Sequence, residues 1–287
     1  MSNWGWVLIG ISLVVVAGFI TLEIVEQSIF PVWESNFFSN NPATLGPYDI
    51  SEKRIINDRK IDGKEYPVSV FVPKGTIGPL PVFIWLMTSN VKAYYQQALH
   101  EALASWGYLV IVPETPPFSF TDLSYHRDIL DLSNEALDMA LSGKFGPKVD
   151  DKKLAAGGYS TGASLAAFLA VERPEIDGLV YWAPSGSPYW LGVNGKKLYS
   201  KVNQPALYVL GEYDSLAPPS DGYPDTMQKL MPDSSAEILV IEKGKHHYFQ
   251  QPTGADELSE PTTITRYEQQ REAIDITRGW LNELFEI

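Results

Sequence analysis

The sequence predicts an α/β fold: a mostly parallel central sheet with helices on both faces, preceded by a separate N-terminal hydrophobic helix. Three observations carry this expectation. From Ser51 onward, strand-like and helix-like segments alternate at the spacing of β-α-β units. Several strand candidates are uninterrupted apolar runs, as strands buried on both faces require; Pro81–Met87 (PVFIWLM) is the longest. The first thirty residues stand apart, because Trp4 to Leu22 contains no charged side chain.

Taken in order, residues 1–30 form a membrane anchor or signal segment. Nineteen helical residues reach about 28 Å, close to the ~30 Å of a bilayer's hydrocarbon layer. No Lys or Arg precedes the stretch, and its best cleavage candidate, Val16-Ala17-Gly18, is weak; an uncleaved anchor is the first reading and a cleaved signal the second. No basic residue follows until Lys53, so nothing holds the C-terminal flank in the cytoplasm. The expected localisation is therefore a membrane-anchored protein with its catalytic domain outside the cytoplasm, or a secreted one if the segment is cleaved. Residues 31–50, rich in Pro, Asn and Gly, are expected as a linker, and residues 51–287 as one catalytic domain.

Within that domain, Arg54–Arg59 and Tyr66–Val72 flank Asp62-Gly63, a hairpin signal. Strands follow at Pro81–Met87, Tyr108–Val112, Lys153–Ala156, Gly178–Trp182, Ala206–Leu210 and Ala236–Ile241. Helices are expected at Ala93–Trp106, Asp128–Leu141, Ser160–Val171, near Asp225–Leu230, and at Ile264–Phe285. The sequence carries no internal repeat and no low-complexity tract.

Composition removes several functions. Acidic residues outnumber basic ones 35 to 22, a net charge of −13, which argues against nucleic acid or anionic lipid headgroups as partners. There is no cysteine, and with it go disulfides, thiolate metal sites and cysteine nucleophiles.

The chemistry concentrates in three places. Gly158-Tyr159-Ser160-Thr161-Gly162 is a G-x-S-x-G, with Lys153–Gly157 entering it as a strand and Ala163–Ala170 leaving it as a helix. This strand–turn–helix context lifts a serine above the sheet edge, and the residues two before and two after must be small for strand and helix to close. The helix N-terminus supplies positive potential for a developing oxyanion. A serine hydroxyl also needs a base and a carboxylate to orient it, in the chain order Ser, Asp or Glu, His. Of four histidines, His100 and His126 precede Ser160 and are expected to pack; His246 and His247 follow it. Asp214, just past the strand Ala206–Leu210, lies where ligands bind in open α/β sheets, with Glu212 in reserve. The residues alone leave His246 and His247 open as the base. No convergent ligand set for a metal is visible, and no cofactor is implied.

These blocks give the chain a resemblance to the α/β-hydrolase superfamily, and within it to the cutinase-like polyester hydrolases and the dienelactone-hydrolase-like group. The likeness spans roughly residues 64–285 and rests on ASWGY at 104–108, GGYSTG at 157–162, GEYDSLAPP at 211–219 and GKHHYF at 244–249. It implies the α/β-hydrolase fold, a Ser160–His246–Asp214 triad, and an oxyanion hole using the Thr161 N–H. The second donor falls on Ser89, counting back from Ala104. The chain departs from the pattern there: Met87-Thr88-Ser89-Asn90 stands where relatives carry a glycine.

Only about 22 residues (184–205) separate two successive strands, too few for a large cap domain. An open cleft is expected, with small-molecule or polymeric esters as substrate. Tyr159 and Trp182, among the aromatic residues Tyr189, Trp190, Tyr248 and Phe249, are expected to contact it. The reading is a serine hydrolase of carboxylic esters tethered to a membrane by its N-terminal helix. A peptidase or amidase with the same triad, and a catalytically idle fold used for binding at a membrane surface, are its alternatives.

Overall fold

The computed structural model describes residues 45–61, 63–87, 93–115, 125–184, 199–219, 229, 231, 234–250 and 263–287. The hydrophobic segment Trp4–Leu22 lies outside them, as do all but residue 229 of the helix expected near Asp225–Leu230 and residues 185–198 of the cap-free stretch expected at 184–205. Among the described residues no helix is long and apolar enough to cross a membrane.

The apolar runs form a sheet of eight strands among the described residues: β1 (Ile50–Ile61), β2 (Lys64–Pro73), β3 (Leu80–Leu86), β4 (Leu109–Pro113), β5 (Val149–Tyr159), β6 (Gly178–Trp182), β7 (Ala206–Gly211) and β8 (Ala236–Ile241). Their spatial order is β1-β2-β4-β3-β5-β6-β7-β8. β2 runs antiparallel to both its neighbours, and every pairing from β4 to β8 is parallel. All residues of β3, β4, β6 and β7 are buried, which is why these strands are continuous hydrophobic text rather than alternating text.

Four helices cover the sheet among the described residues: α1 (Gln97–Ser105), α2 (Tyr125–Leu141), α3 (Thr161–Glu172) and α4 (Arg266–Phe285). α2 packs with α3 and α1 with α4, one pair on each face. A 3-10 turn, Ala93–Gln96, leads into α1, so the single helix expected from residue 93 begins in a tighter form. α4 starts at Arg266 because Thr265 closes a capping box: its hydroxyl accepts from the Glu268 N–H at 3.1 Å, and the Glu268 carboxylate accepts from the Thr265 N–H at 2.8 Å.

Several boundaries differ from expectation: β1 spans Ile50–Ile61, α2 begins at Tyr125, and β5 runs on to Tyr159. β5 begins at Val149, four residues before the expected start, since its charged Asp150–Lys153 entry pairs with β3 only at Val149 before the buried run. The end of the expected linker is ordered: the Gly46 N–H donates to Ser105 Oγ at 2.7 Å, the Tyr48 N–H to the Ser105 carbonyl at 3.0 Å, and Ile50 already belongs to β1.

Candidate active site

Ser160 sits between β5 and α3 with φ 54° and ψ −122°, a conformation that a residue bearing a Cβ holds only when its surroundings impose it. The surroundings here are backbone. A Cβ on Gly158 would lie 2.3 Å from the Gly162 carbonyl carbon, and a Cβ on Gly162 would lie 2.1 Å from the Leu86 carbonyl oxygen. The elbow closes because both positions lack that atom. The Ser160 N–H donates to the Trp182 carbonyl at 2.9 Å, tying the turn to β6.

Asp214 and His246 reach Ser160 from two adjacent loops at the same sheet edge. The loops cross at Gly211 and Gly244, where a Cβ on Gly211 would meet the Gly244 backbone at 2.6 Å. The Tyr213 N–H donates to the Gly244 carbonyl at 2.8 Å. Asp214 is 1 % exposed; its Oδ1 accepts the backbone N–H groups of Leu216 and Ala217 at 2.8 and 2.7 Å. Its Oδ2 lies 2.8 Å from His246 Nδ1, and His246 Nε2 lies 3.2 Å from Ser160 Oγ. A carboxylate can only accept, so the tautomer that donates to Asp214 is the one with its proton on Nδ1, which leaves Nε2 as the acceptor facing Ser160 Oγ.

The neighbouring candidates are placed elsewhere. His247 sets its ring edge-on to that of His246 at 5.3 Å. Glu212, the reserve acid, accepts the Lys243 N–H at the exposed surface. His100 and His126 are buried, the first against Phe71 and the second against Tyr125. Thr161 is the first residue of α3, so helix geometry provides no intrahelical acceptor for its N–H. Ser89 lies outside the described residues. Met87, two residues before it in the sequence, is buried with its carbonyl carbon 3.0 Å from where a Gly162 Cβ would stand.

Tyr159 and Trp182 differ from the expectation that they contact substrate: each is 1 % exposed. Trp182 packs on Trp85 and Phe249, and its indole N–H donates to Thr277 Oγ1 at 2.9 Å. Tyr159 lies beside the His246 ring at 5.2 Å and donates its hydroxyl to the His246 carbonyl at 3.2 Å. Both sit at strand ends and turn into the core, supporting the site from below. The exposed apolar side chains next to Asp214 are instead Tyr213 and Leu216, at 49 % and 59 %. Tyr189 and Trp190 lie outside the described residues. Among the described residues no three His, Asp or Glu side chains are grouped to hold a metal.

His246 opens a short 3-10 turn, His246–Phe249, that the sequence pattern does not announce. Its backbone is held by distant side chains. Gln96 accepts from the Trp85 indole N–H at 2.7 Å and donates to the Phe249 carbonyl at 3.1 Å. Arg266 donates to the carbonyls of His247 and Gln250.

An antiparallel second strand in an otherwise parallel sheet, a serine on a strained strand–helix turn, and acid and histidine on the loops after β7 and β8 define an α/β-hydrolase. The profile of the PET hydrolase-like family (PETase) matches residues 39–267, and the chain belongs to that family. Among solved structures it is similar to a putative dienelactone hydrolase from Klebsiella pneumoniae subsp. pneumoniae MGH 78578. That likeness has 19 % identity and a TM-score of 0.62, covering 82 % of this chain and 99 % of that one. At this identity the likeness concerns the fold. No curated protein matches the chain.

Proposed function

We propose that the protein hydrolyses carboxylic esters through an acyl-enzyme on Ser160. The observation that carries the reading is the unbroken run of contacts from Asp214 Oδ2 to His246 Nδ1 and from His246 Nε2 to Ser160 Oγ. Ser160 Oγ attacks the ester carbonyl carbon while His246 Nε2 takes its proton. Asp214 holds the tautomer and stabilises the imidazolium. The oxyanion is received by the Thr161 N–H at the α3 N-terminus, with Ser89 as the proposed source of the second donor. His246 then returns the proton to the departing alcohol, and water, activated by the same imidazole, releases the acid and regenerates Ser160.

Bulky or polymeric esters are the proposed substrate class. Membership of the PET hydrolase-like family supports this, as do Tyr213 and Leu216, whose exposed apolar side chains flank Asp214. We also propose that Trp4–Leu22 tethers the domain to a membrane, from its lack of charge and its length. Sedimentation of the full chain with membranes, and its release on deletion of residues 1–30, tests that proposal.

The test of the activity is hydrolysis of short-, medium- and long-chain p-nitrophenyl esters and of a polyester film by the full chain, beside Ser160→Ala. Turnover lost in the variant is the expected result. A folded wild type without turnover would overturn the esterase reading in favour of an amidase or an idle fold.

A further inference from the structure

Resting on that reading of the site, we infer that Gln269, on α4, is a positioning residue that holds His246 in register with Ser160. Gln269 is 0 % exposed and spends its whole amide on one residue. Its Oε1 accepts the Lys245 N–H at 2.8 Å, and its Nε2 donates to the Lys245 carbonyl at 2.8 Å. The side chain thus replaces one rung of a β-ladder, and Lys245 is held extended at φ −120° and ψ 159°.

The placement of that rung gives it leverage. The Lys245 carbonyl belongs to the peptide that carries the His246 nitrogen, so rotating Lys245 swings the imidazole directly. The other braces, Tyr159 on the His246 carbonyl, Gln96 on Phe249 and Arg266 on His247 and Gln250, act on the C-terminal side of the His246 Cα. Before it, the Tyr213 N–H on the Gly244 carbonyl pins the loop one residue further back, so Lys245 is the link left for Gln269 to fix. Glycine at 244 is also what lets the amide approach, since a Cβ there would lie 3.2 Å from Gln269 Oε1 and 3.1 Å from Gly211 Cα. At 3.2 Å, the contact from His246 Nε2 to Ser160 Oγ is already at the long end of hydrogen-bond distance. A small displacement of the ring therefore removes the base from the nucleophile.

The test uses the full chain and three proteins: wild type, Gln269→Met, which keeps the shape and loses both hydrogen bonds, and Tyr108→Phe. The last removes a different, partly buried hydrogen bond to the same helix, from Tyr108 to Asn282 at 2.8 Å, far from the histidine in sequence. For Gln269→Met the expected result is a kcat lower by about 10- to 100-fold, the scale of an approximately 1 Å misplacement. KM should stay within about twofold, and capture of Ser160 by an aryl phosphonate should slow in the same ratio as kcat. Tyr108→Phe, with a comparable fall in Tm, should keep its kcat. Gln269→Met with wild-type kcat, or with a loss no larger than the fraction unfolded, overturns the inference and leaves the esterase reading intact. Should Gln269→Met fail to fold, Gln269→Glu keeps the acceptor for Lys245 and loses the donor; an unchanged kcat there overturns it equally. Absence of Ser160-dependent turnover in the wild type would overturn both.

Discussion

His100 makes the protein's stability acid-sensitive in a way that can be calculated. It lies on α1 at 0 % exposure against the Phe71 ring, and neither ring nitrogen has a hydrogen-bond partner among the described residues. Burial alone lowers its pKa from 6.5 to about 3. The folded protein therefore keeps His100 neutral where the unfolded chain binds a proton, so stability falls as pH drops below about 6.5. The fall continues towards about 3, at about 1.4 kcal/mol per pH unit. By pH 4.5 this amounts to roughly 2.7 kcal/mol relative to neutral pH. Glu101, raised chiefly by burial, works in the opposite sense, and His126, lowered by burial, in the same sense. A comparison between proteins removes both. Urea unfolding of wild type and His100→Leu at pH 7.5 and 4.5 measures it. The wild type should lose about 2 to 3 kcal/mol more than the variant over that interval. Equal losses would refute the reasoning and place a partner or water on the buried ring.

Three further outcomes follow from the site. Gly162→Ala should abolish turnover and destabilise the protein by more than the roughly 1–3 kcal/mol of ordinary overpacking, because its Cβ meets the Leu86 carbonyl oxygen at 2.1 Å; activity and denaturation assays on that variant check it. Asp214→Asn should fold and lose about 10⁴-fold in kcat, since the amide reverses the tautomer of His246; steady-state kinetics with far-UV circular dichroism separates the two effects. Trp182→Phe should cost about 1–3 kcal/mol, through the unpaired Thr277 hydroxyl, and leave KM unchanged; a raised KM would return Trp182 to the substrate surface.

The layers and the elbow are legible in the sequence because each is written locally. A strand covered on both faces must be apolar throughout, as in β3 and β7, and the nucleophile turn needs glycines at fixed offsets, here Gly158 and Gly162. What the sequence conceals is set by distant partners. His246 and His247 are adjacent, and chain order alone does not say which ring faces Asp214; only the resemblance at GKHHYF favours His246, which is the ring beside Asp214. The 3-10 turn between them and Phe249 has no local signature because Gln96, Gln269 and Arg266 hold it from elsewhere in the chain. Gln269 and Gln270 are buried on α4, although glutamines on an amphipathic helix ordinarily mark its wet face. A large aromatic residue at a strand's C-terminal end can enter the core or the cleft with the same text, and Trp182 enters the core.

The central claim is that Ser160 is the nucleophile of a covalent mechanism. Rapid acid quenching of the full chain during turnover of a p-nitrophenyl ester, followed by mass spectrometry of its peptides, tests this most directly. The account predicts one acyl group per chain, on Ser160, absent from Ser160→Ala and prolonged when deacylation is slow. Turnover with no adduct, or an adduct on another residue, would contradict it.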